Sequence, residues 1–364
     1  MTVRFMRRLE SKGREAVHPE GEQLMRILNS TVLVLLAGAL ATIAGAVAAQ
    51  TTSTEPVPSL SKGSALAYPV KPLRMIVPFP PGGATDIVGR YIALRLGETF
   101  AQQVVVDNRG GANGTLGLDL AAKAPPDGHT LVIGQTGNLS ISVSLTKVGY
   151  DTVRDFAPIT LVVASPHVIA THPALPVRSV KELVALARSR PGQLNYASTG
   201  AGSGGHLGVE LFKKMTQTDL AHVPYKGAVQ GFTDLVAGQV ALIFTSVLST
   251  QSFARSGRVR MLAVASAQRS PSAPDTPTLA ESGFPGIELT SWWGVLGPAA
   301  MPKEIVARLN TEIVKIMATS DARERIAALG ADIVTGTPAQ FADYIKVENV
   351  KWGQLIKETG ARVD

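Results

Sequence analysis

The chain contains no cysteine among its 364 residues. This excludes disulfide frameworks, cysteine-ligated zinc, iron–sulfur clusters and thiol nucleophiles. Aromatic residues make up only 5% of the sequence and charged residues 17%. Lysine and arginine outnumber aspartate and glutamate by 35 to 28, but they are spread along the chain rather than concentrated as in a nucleic-acid-binding surface. We therefore expect no nucleic-acid partner, whereas a formal net charge of +7 suits an anionic small ligand.

The N-terminal segment predicts export. Residues 27–54 contain no charged residue, their most apolar part is Val32–Leu40, and six basic residues precede them. A basic region, an apolar core and small residues before a cut are typical of a secretory signal, so residues 1–49 are interpreted as a signal peptide that starts at Met1 or Met25. Cleavage is expected after Ala49, or alternatively after Ala67. A permanent membrane anchor is the competing interpretation, because the apolar stretch is long enough to span a bilayer.

The remainder predicts an α/β protein that begins after a polar linker. Residues 50–67 are rich in threonine, serine and proline, and we expect them to be disordered. From there on, short β-branched runs alternate with segments of helical period, which indicates parallel α/β sheets. The length suggests about two domains. The segments predicted as strands include 73–77, 194–197, 240–244 and 261–265, and a capping box at Ser179–Glu182 predicts a helix that ends near Arg190.

Three glycine-rich loops stand where a strand should end and a helix begin. They are residues 79–86, 108–114 and 198–206. Glycine lets the backbone approach a ligand closely, and helix N-termini attract anions. In open α/β sheets, ligands lie beyond the carboxyl ends of the strands. Three such loops in one chain predict a binding site for a small anion.

Catalytic and cofactor interpretations find little support in the residues. Gly200, Gly202 and Gly205 match the spacing of a dinucleotide-binding loop, but Asp219 precedes the next strand instead of ending it. The six histidines show no metal-ligand spacing, and the residues before Ser203 depart from the nucleophile elbow at its first glycine. We expect no enzymatic activity, no metal and no cofactor, and we expect Trp292 and Trp293 to pack in a core or hinge.

From Tyr68 to its end, the chain resembles the Bug-type periplasmic substrate-binding proteins of tripartite tricarboxylate transporters. The resemblance rests on motifs that follow one another in the family's order and spacing over nearly the whole of this region. These motifs are Tyr68-Pro69, residues 76–83 with Asp86, residues 106–114, residues 126–131, residues 155–159, residues 200–207, residues 222–227, residues 258–264 and residues 277–281.

This resemblance implies a two-lobed periplasmic-binding-protein fold of the Venus-flytrap type II, each lobe a mainly parallel sheet flanked by helices. Residues 68–165 with 291–364 are expected to form lobe 1, and residues 166–290 lobe 2. The implied function is capture, by a monomer in the periplasm, of a mono-, di- or tricarboxylate for membrane transporter subunits. A dinucleotide-binding oxidoreductase and a carboxylate-sensing signalling protein remain the alternatives.

The family's binding positions can also be carried over residue by residue. The implied ligand-binding residues are Phe79, Gly82, Gly83, Ala84 and Asp86 from lobe 1, and Ser198, Thr199, Gly200, Ser203, His206, Tyr225, Lys226 and Thr245 from lobe 2. Thr245 stands where many members carry an aspartate. The lack of a negative charge there favours simple carboxylates over amino acids.

Overall fold

The computed structural model describes residues 68–359. The predicted signal peptide (1–49), its alternative start at Met25 and the predicted linker (50–67) lie outside the described residues. Within residues 68–359, no helix is long and apolar enough to cross a membrane.

The described chain alternates between strands and helices. Its first part contains β1 (Leu73–Val77), α1 (Ala84–Phe100), β2 (Val104–Asn108), a 3₁₀ turn (Ala112–Gly114), α2 (Thr115–Ala122), β3 (Thr130–Gln135), a π-helical turn (Gly137–Ile141), α3 (Ser142–Leu145) and β4 (Phe156–Thr171). Its middle part contains α4 (Val180–Ser189), β5 (Asn195–Ser198), α5 (Gly204–Thr216), β6 (Ala221–Pro224), α6 (Ala228–Val236), β7 (Leu242–Ser246), α7 (Val247–Arg255) and β8 (Arg260–Val264). Its last part contains β9 (Thr290–Pro298), α8 (Lys303–Met317), α9 (Ser320–Leu329), β10 (Asp332–Ile333) and α10 (Pro338–Thr359).

Two sheets share the long strand β4. In the first, β1 pairs in parallel with β2 and β3, β3 pairs antiparallel with β9, and residues 156–166 of β4 pair antiparallel with β9. In the second, β5 pairs in parallel with β6 and β7, and residues 167–171 of β4 pair antiparallel with β7. Each sheet thus belongs to one lobe, and the predicted α/β, two-lobed class is confirmed.

The change of lobe occurs between two neighbouring residues of β4. Pro166 is still opposite Thr290 of β9, whereas His167 is opposite Ser246 of β7. The chain therefore passes from lobe 1 to lobe 2 at Pro166–His167 and returns at the start of β9. Side chains at these positions lie between the lobes, at the base of the space that separates them.

Local sequence explains why the elements form where they do. β1 lies in the middle of its sheet, and accordingly its run of large apolar residues is buried almost throughout. Val88, Ile92 and Leu96 of α1 follow helical spacing, are fully buried and belong to the same apolar cluster as β1. The predicted helix after Ser179 is confirmed: its hydroxyl oxygen accepts a hydrogen bond from Glu182 N–H, while the Glu182 carboxylate accepts one from Arg178 N–H.

The C-terminal helix departs from the predicted division into lobes, which assigns all of residues 291–364 to lobe 1. Phe341 and Ile345 of α10 pack in a lobe 1 cluster, but Trp352 packs in the main cluster of lobe 2. Between them, the buried Glu348 accepts hydrogen bonds from the indole N–H groups of Trp292 and Trp352, both at 2.9 Å. The α10 helix is therefore a third connection between the lobes. The reason is its length: 22 residues span about 33 Å, enough to reach beyond one lobe.

Candidate functional site

A cleft of about 660 Å³, its open mouth included, lies between the two lobes. The carboxyl ends of β1, β3, β5 and β7 all open towards it, as expected for ligand sites of α/β sheets. Its lining residues are Phe79, Pro80, Gly83, Ala84, Thr85, Gln135, Thr136, Gly137, His167, Thr199, Ser203, Gly204, Gly205, Gly227, Ala228, Val229, Gln230, Thr245, Ser246, Ser249, Ser291 and Trp293.

The loop between β1 and α1 forms the wall on the lobe 1 side. Gly82 adopts a positive φ of 87°, which a residue with a side chain rarely adopts, and its N–H donates to Asp86 at 2.9 Å. Arg90 and Asn108 donate to the same carboxylate. Burial opposes ionisation of Asp86, but these hydrogen bonds outweigh it and hold the pKa of this carboxyl below its usual range. The buried, ionised Asp86 carboxylate thus holds this loop in place without lining the cleft.

The loop between β5 and α5 forms the wall on the lobe 2 side, and two stacked imidazole rings support it. His222 Nε2 lies 2.7 Å from Ser198 Oγ, and its ring stacks on His206 with 4.2 Å between centroids. His206 Nδ1 accepts a hydrogen bond from Gly202 N–H. Ser203 then caps α5, its hydroxyl oxygen accepting from His206 N–H at 3.3 Å. These bonds hold the backbone of residues 199–205 against the cleft.

The walls of the two lobes approach each other at the rim of the cleft. A Cβ added at Gly82 would lie 3.6 Å from Val229 in α6, and one added at Gly227 would lie 3.4 Å from Pro80. The loop that precedes α1 thus lies across a narrow gap from the start of α6. A molecule held in the cleft would be in contact with both lobes.

Strands β4 and β9 form the floor. His167 Nε2 lies 2.7 Å from Ser291 Oγ, and Trp293 donates its indole N–H to Thr85 Oγ1 at 2.9 Å. All four side chains are buried and line the cleft. Burial lowers the pKa of His167 to about 4, so its imidazole is neutral at physiological pH.

None of the described residues lining the cleft is aspartate, glutamate, lysine or arginine. Instead, helices from both lobes begin there: α1 in lobe 1, and α5, α6 and α7 in lobe 2. The first N–H groups of a helix have no partner within it and carry the positive end of the helix dipole. The caps of α1 and α6 are Gly83 and Gly227, which offer no side-chain acceptor to these N–H groups. The cleft therefore offers backbone hydrogen-bond donors to an anion without any charged side chain.

The structure brings six of the residues implied by the resemblance to the lining of this cleft. They are Phe79, Gly83, Ala84, Thr199, Ser203 and Thr245. The first three belong to lobe 1 and the others to lobe 2, so each lobe supplies part of the lining. Their status as ligand contacts is a proposal developed below.

Four other implied residues do not line the cleft, because they hold its loops in place. The side chain of Asp86 and the N–H of Gly82 bind each other behind the lobe 1 loop. Ser198 is fully buried, and its hydroxyl donates to Gly200 O at 3.0 Å. His206 is occupied by Gly202 N–H and by the stack on His222. These residues are expected to influence binding only through the backbone they position.

The remaining three, Gly200, Tyr225 and Lys226, line a separate groove together with Asn113 and Lys147. The Tyr225 hydroxyl donates to Asp234 at 2.6 Å. Burial, together with this hydrogen bond, raises its pKa to about 12. The Tyr225 hydroxyl is therefore bound within lobe 2, and its implied role as a ligand contact stays a prediction.

Sequence reasoning missed several lining residues for two different reasons. Gln135, Thr136 and Ser246 lie at or just after the ends of β3 and β7, so the rule that singled out the glycine loops could have found them. His167 and Ser291 lie within strands, where no local pattern distinguishes a cleft residue from a core residue. Trp293 was expected in a core or hinge; it is buried and also lines the cleft.

Two α/β lobes that share crossing strands around a cleft rich in hydrogen-bond donors define a solute-binding protein. No group of three or more acidic or histidine side chains suited to a metal ion occurs within residues 68–359. Residues 88–361 match the family model described as the tripartite tricarboxylate transporter family receptor. The chain belongs to this family of receptors, which bind a solute and are not enzymes.

Solved structures agree with this assignment. Rpa4515 of R. palustris, solved with adipate, is 36% identical with a TM-score of 0.79, over 81% of this chain and 100% of that one. The periplasmic binding protein BugD is 34% identical with a TM-score of 0.78, over 81% of this chain and 99% of that one. MatC from Rhodopseudomonas palustris, with bound malate, is 31% identical with a TM-score of 0.76, over 79% of this chain and 100% of that one. The resemblance to Bug-type proteins is thereby confirmed.

Proposed function

We propose that this protein captures a small carboxylate in the cleft between its lobes and presents it to the membrane subunits of a tripartite tricarboxylate-type transporter. One observation carries the proposal: helices of both lobes begin at a cleft whose described lining has no charged side chain. A carboxylate loses hydration on burial, and hydrogen bonds must offset that cost. Backbone N–H groups at Gly83–Thr85 and Gly204–Gly205 are placed to supply them.

The division of the donors between lobes links binding to closure. A carboxylate held only by α1 or only by α5 keeps part of its hydrogen bonding with water, whereas contact with both requires the lobes to close. Ligand therefore has a higher affinity for the closed form and shifts the population towards it. The membrane partner is proposed to recognise that closed form. The adipate and malate bound by two relatives support the carboxylate class of ligand.

The proposed ligand contacts follow from the lining. They include the six implied residues that line the cleft, and Thr85, His167 and Ser291 of its floor. The proposed lobes are residues 68–165 with 291–364, and residues 166–290, with α10 in contact with both.

A thermal-shift screen tests the carboxylate proposal directly. The full chain is heated with adipate, malate and a panel of mono-, di- and tricarboxylates, with NAD as the control ligand. A ligand present at 100 times its dissociation constant adds about 2.7 kcal/mol to the free energy of unfolding. At least one carboxylate should raise the melting temperature while NAD does not. Stabilisation by NAD with no response to any carboxylate would overturn the proposal.

Location in the periplasm is tested separately by N-terminal sequencing of exported protein. The mature chain should begin at Gln50, or else near Tyr68. A mature protein that retains Leu33–Leu40 would contradict export with cleavage.

A further inference from the structure

The loop between β2 and α2 has an uncommon backbone. Residues 111–114 are four consecutive residues with positive φ, at 132°, 47°, 53° and 85°. The first and last are glycine, but Ala112 and Asn113 carry side chains, and such residues adopt a positive φ at a cost in free energy. Backbone strain of this kind persists only where the surrounding structure holds it, and it is concentrated at functional sites.

Close packing in lobe 1 holds this loop. A Cβ added at Gly114 would lie 2.6 Å from Asn138 Nδ2 and 2.9 Å from the Phe79 ring. Gly117, in the helix that follows, packs equally closely on Pro78, at 2.7 Å. Phe79 lines the ligand cleft. The loop is therefore packed directly against the lobe 1 wall of the cleft.

Asn113 extends from this loop to lobe 2. Its side-chain nitrogen Nδ2 lies 3.2 Å from Ser142 Oγ in lobe 1 and 3.4 Å from Gly202 O in lobe 2. Because a carbonyl oxygen can only accept, the group that faces Gly202 O is the NH2 of the amide. Gly200 lies beside it, since a Cβ added there would be 3.8 Å from Asn113 Cβ. Asn113 thus donates a hydrogen bond across the gap between the lobes.

This contact joins the two walls of the cleft at a place outside the proposed ligand site. Asn113 and Gly202 line the separate groove and not the cleft. Gly202 belongs to the loop between β5 and α5, which is the lobe 2 wall, and its N–H donates to His206 Nδ1. Because Ser142 and Asn113 belong to the same lobe, separation of the lobes would break the bond to Gly202 O and keep the bond to Ser142 Oγ.

We propose that Asn113 is a latch between the lobes: its bond to Gly202 O forms on closure and strengthens the binding of any ligand that closes the cleft, without touching that ligand. This rests on the proposed function, because it concerns closure around a bound solute. It also accounts for the residue type. Glycine, asparagine and aspartate tolerate a left-handed backbone best, and of these only asparagine has a side-chain donor. Asn113 is a positioning residue, since it acts on the ligand through the walls.

Two variants remove the latch by different means. Asn113→Gly adopts the φ of 53° without strain and deletes the side chain. Asn113→Asp also tolerates this φ, and Ser142 can still donate to its carboxylate, but that carboxylate would face the Gly202 carbonyl oxygen, which is another acceptor. The glycine variant therefore loses the latch together with the Ser142 bond, whereas the aspartate variant loses the bond between the lobes alone.

Calorimetric titration measures the affinity, with adipate and malate as probes, or with the two acids that raise the melting temperature most if these do not bind. Loss of one uncharged hydrogen bond from the closed form should weaken binding roughly three- to tenfold in Asn113→Gly, and at least as much in Asn113→Asp. In Asn113→Gly the factor should be the same for both probes, because the latch contacts neither. Loss of a ligand contact would instead change the two affinities unequally.

Urea unfolding of the ligand-free protein separates this role from a structural one. Since the latch is proposed to be broken in the open, ligand-free protein, Asn113→Asp should keep the parent's unfolding midpoint, whereas loss of a purely structural contact would lower it. Ala112→Asp is the control for added charge. Ala112 is exposed, has a φ of 47°, and none of its hydrogen bonds within residues 68–359 reaches lobe 2. This variant should bind both probes as the parent does.

The outcomes distinguish the latch from the proposed function. If Asn113→Gly binds both probes as tightly as the parent, or if Ala112→Asp loses as much affinity as Asn113→Asp, the latch is wrong while the proposed function stands. A loss in Asn113→Gly that differs clearly between the probes would make Asn113 a ligand contact and would also overturn the latch. If neither probe nor any other carboxylate of the panel binds the parent, the proposed function itself is wrong.

Discussion

Replacing Gly83 with valine should weaken ligand binding roughly ten- to hundredfold without harming the fold. Gly83 is the N-cap of α1, with φ −83° and ψ 171°, an extended conformation that a β-branched residue adopts readily. A Cβ added there meets no atom within 4 Å, yet Gly83 lines the cleft. The new side chain would therefore occupy space that the ligand is proposed to fill.

The free energies involved can be worked out from this geometry. Valine is a poorer N-cap than glycine, which costs up to about 1 kcal/mol. Valine also restricts the backbone of the unfolded chain, which stabilises the folded state by roughly 0.4–1 kcal/mol. The free energy of unfolding of the ligand-free protein should thus change by less than about 1 kcal/mol. Loss of one hydrogen bond to a carboxylate costs about 1.5–3 kcal/mol, which is roughly a ten- to hundredfold weaker affinity.

The neighbouring glycine provides the matched control. Gly82 has a positive φ of 87° and does not line the cleft, so Gly82→Val should destabilise the free protein by at least about 1 kcal/mol. Urea unfolding measures the change in stability of each variant. Calorimetric titration with a carboxylate identified by the thermal-shift screen measures the change in affinity. Gly83→Val with the parent's stability and the parent's affinity would refute the assignment of the cleft as the binding site.

Three further predictions concern stability. Ser203→Ala removes the cap of α5 and should lower the free energy of unfolding by about 1 kcal/mol in urea, as well as weakening ligand binding; an unchanged value would contradict the capping role. Because burial lowers the pKa of His167 from 6.5 to about 4, the unfolded chain takes up its proton first as the pH falls. Stability should therefore decrease between about pH 6.5 and 4, by on the order of 3 kcal/mol, and His167→Phe should remove this part of the pH dependence. Glu348→Ala leaves the indole N–H groups of Trp292 and Trp352 without their buried acceptor and should cost on the order of 3 kcal/mol in urea unfolding; a loss under 1 kcal/mol would show that α10 does not depend on this carboxylate.

Periodicity and capping signals predicted the elements well because they depend on nearby residues. The strand predicted at 73–77 is β1 itself, and the strand predicted at 240–244 lies within two residues of β7. The helix predicted from its capping box at Ser179–Glu182 is present. The double packing of α10 was not predictable in this way. The apolar residues 341, 345 and 352 give the same sequence pattern whether one lobe or both lobes cover that face of the helix.

The glycine-rich loops predicted where the cleft lies, but not which of their side chains line it. Asp86 and His206 are polar residues in the right loops, yet both bind the backbone that forms the walls. The same residue types serve ligand contact and loop support, so sequence alone does not separate the two roles. His167 and Ser291 come together only because β4 and β9 are neighbours where the chain changes lobe. That pairing joins residues 124 positions apart.

The most direct test of the account is a crystal structure of the protein with a carboxylate that stabilises it in the thermal-shift screen. We predict this ligand between the lobes, with carboxylate oxygens within hydrogen-bond distance of backbone N–H groups at both Gly83–Thr85 and Gly204–Gly205. A carboxylate bound outside this cleft, or held by the residues of one lobe alone, would contradict it.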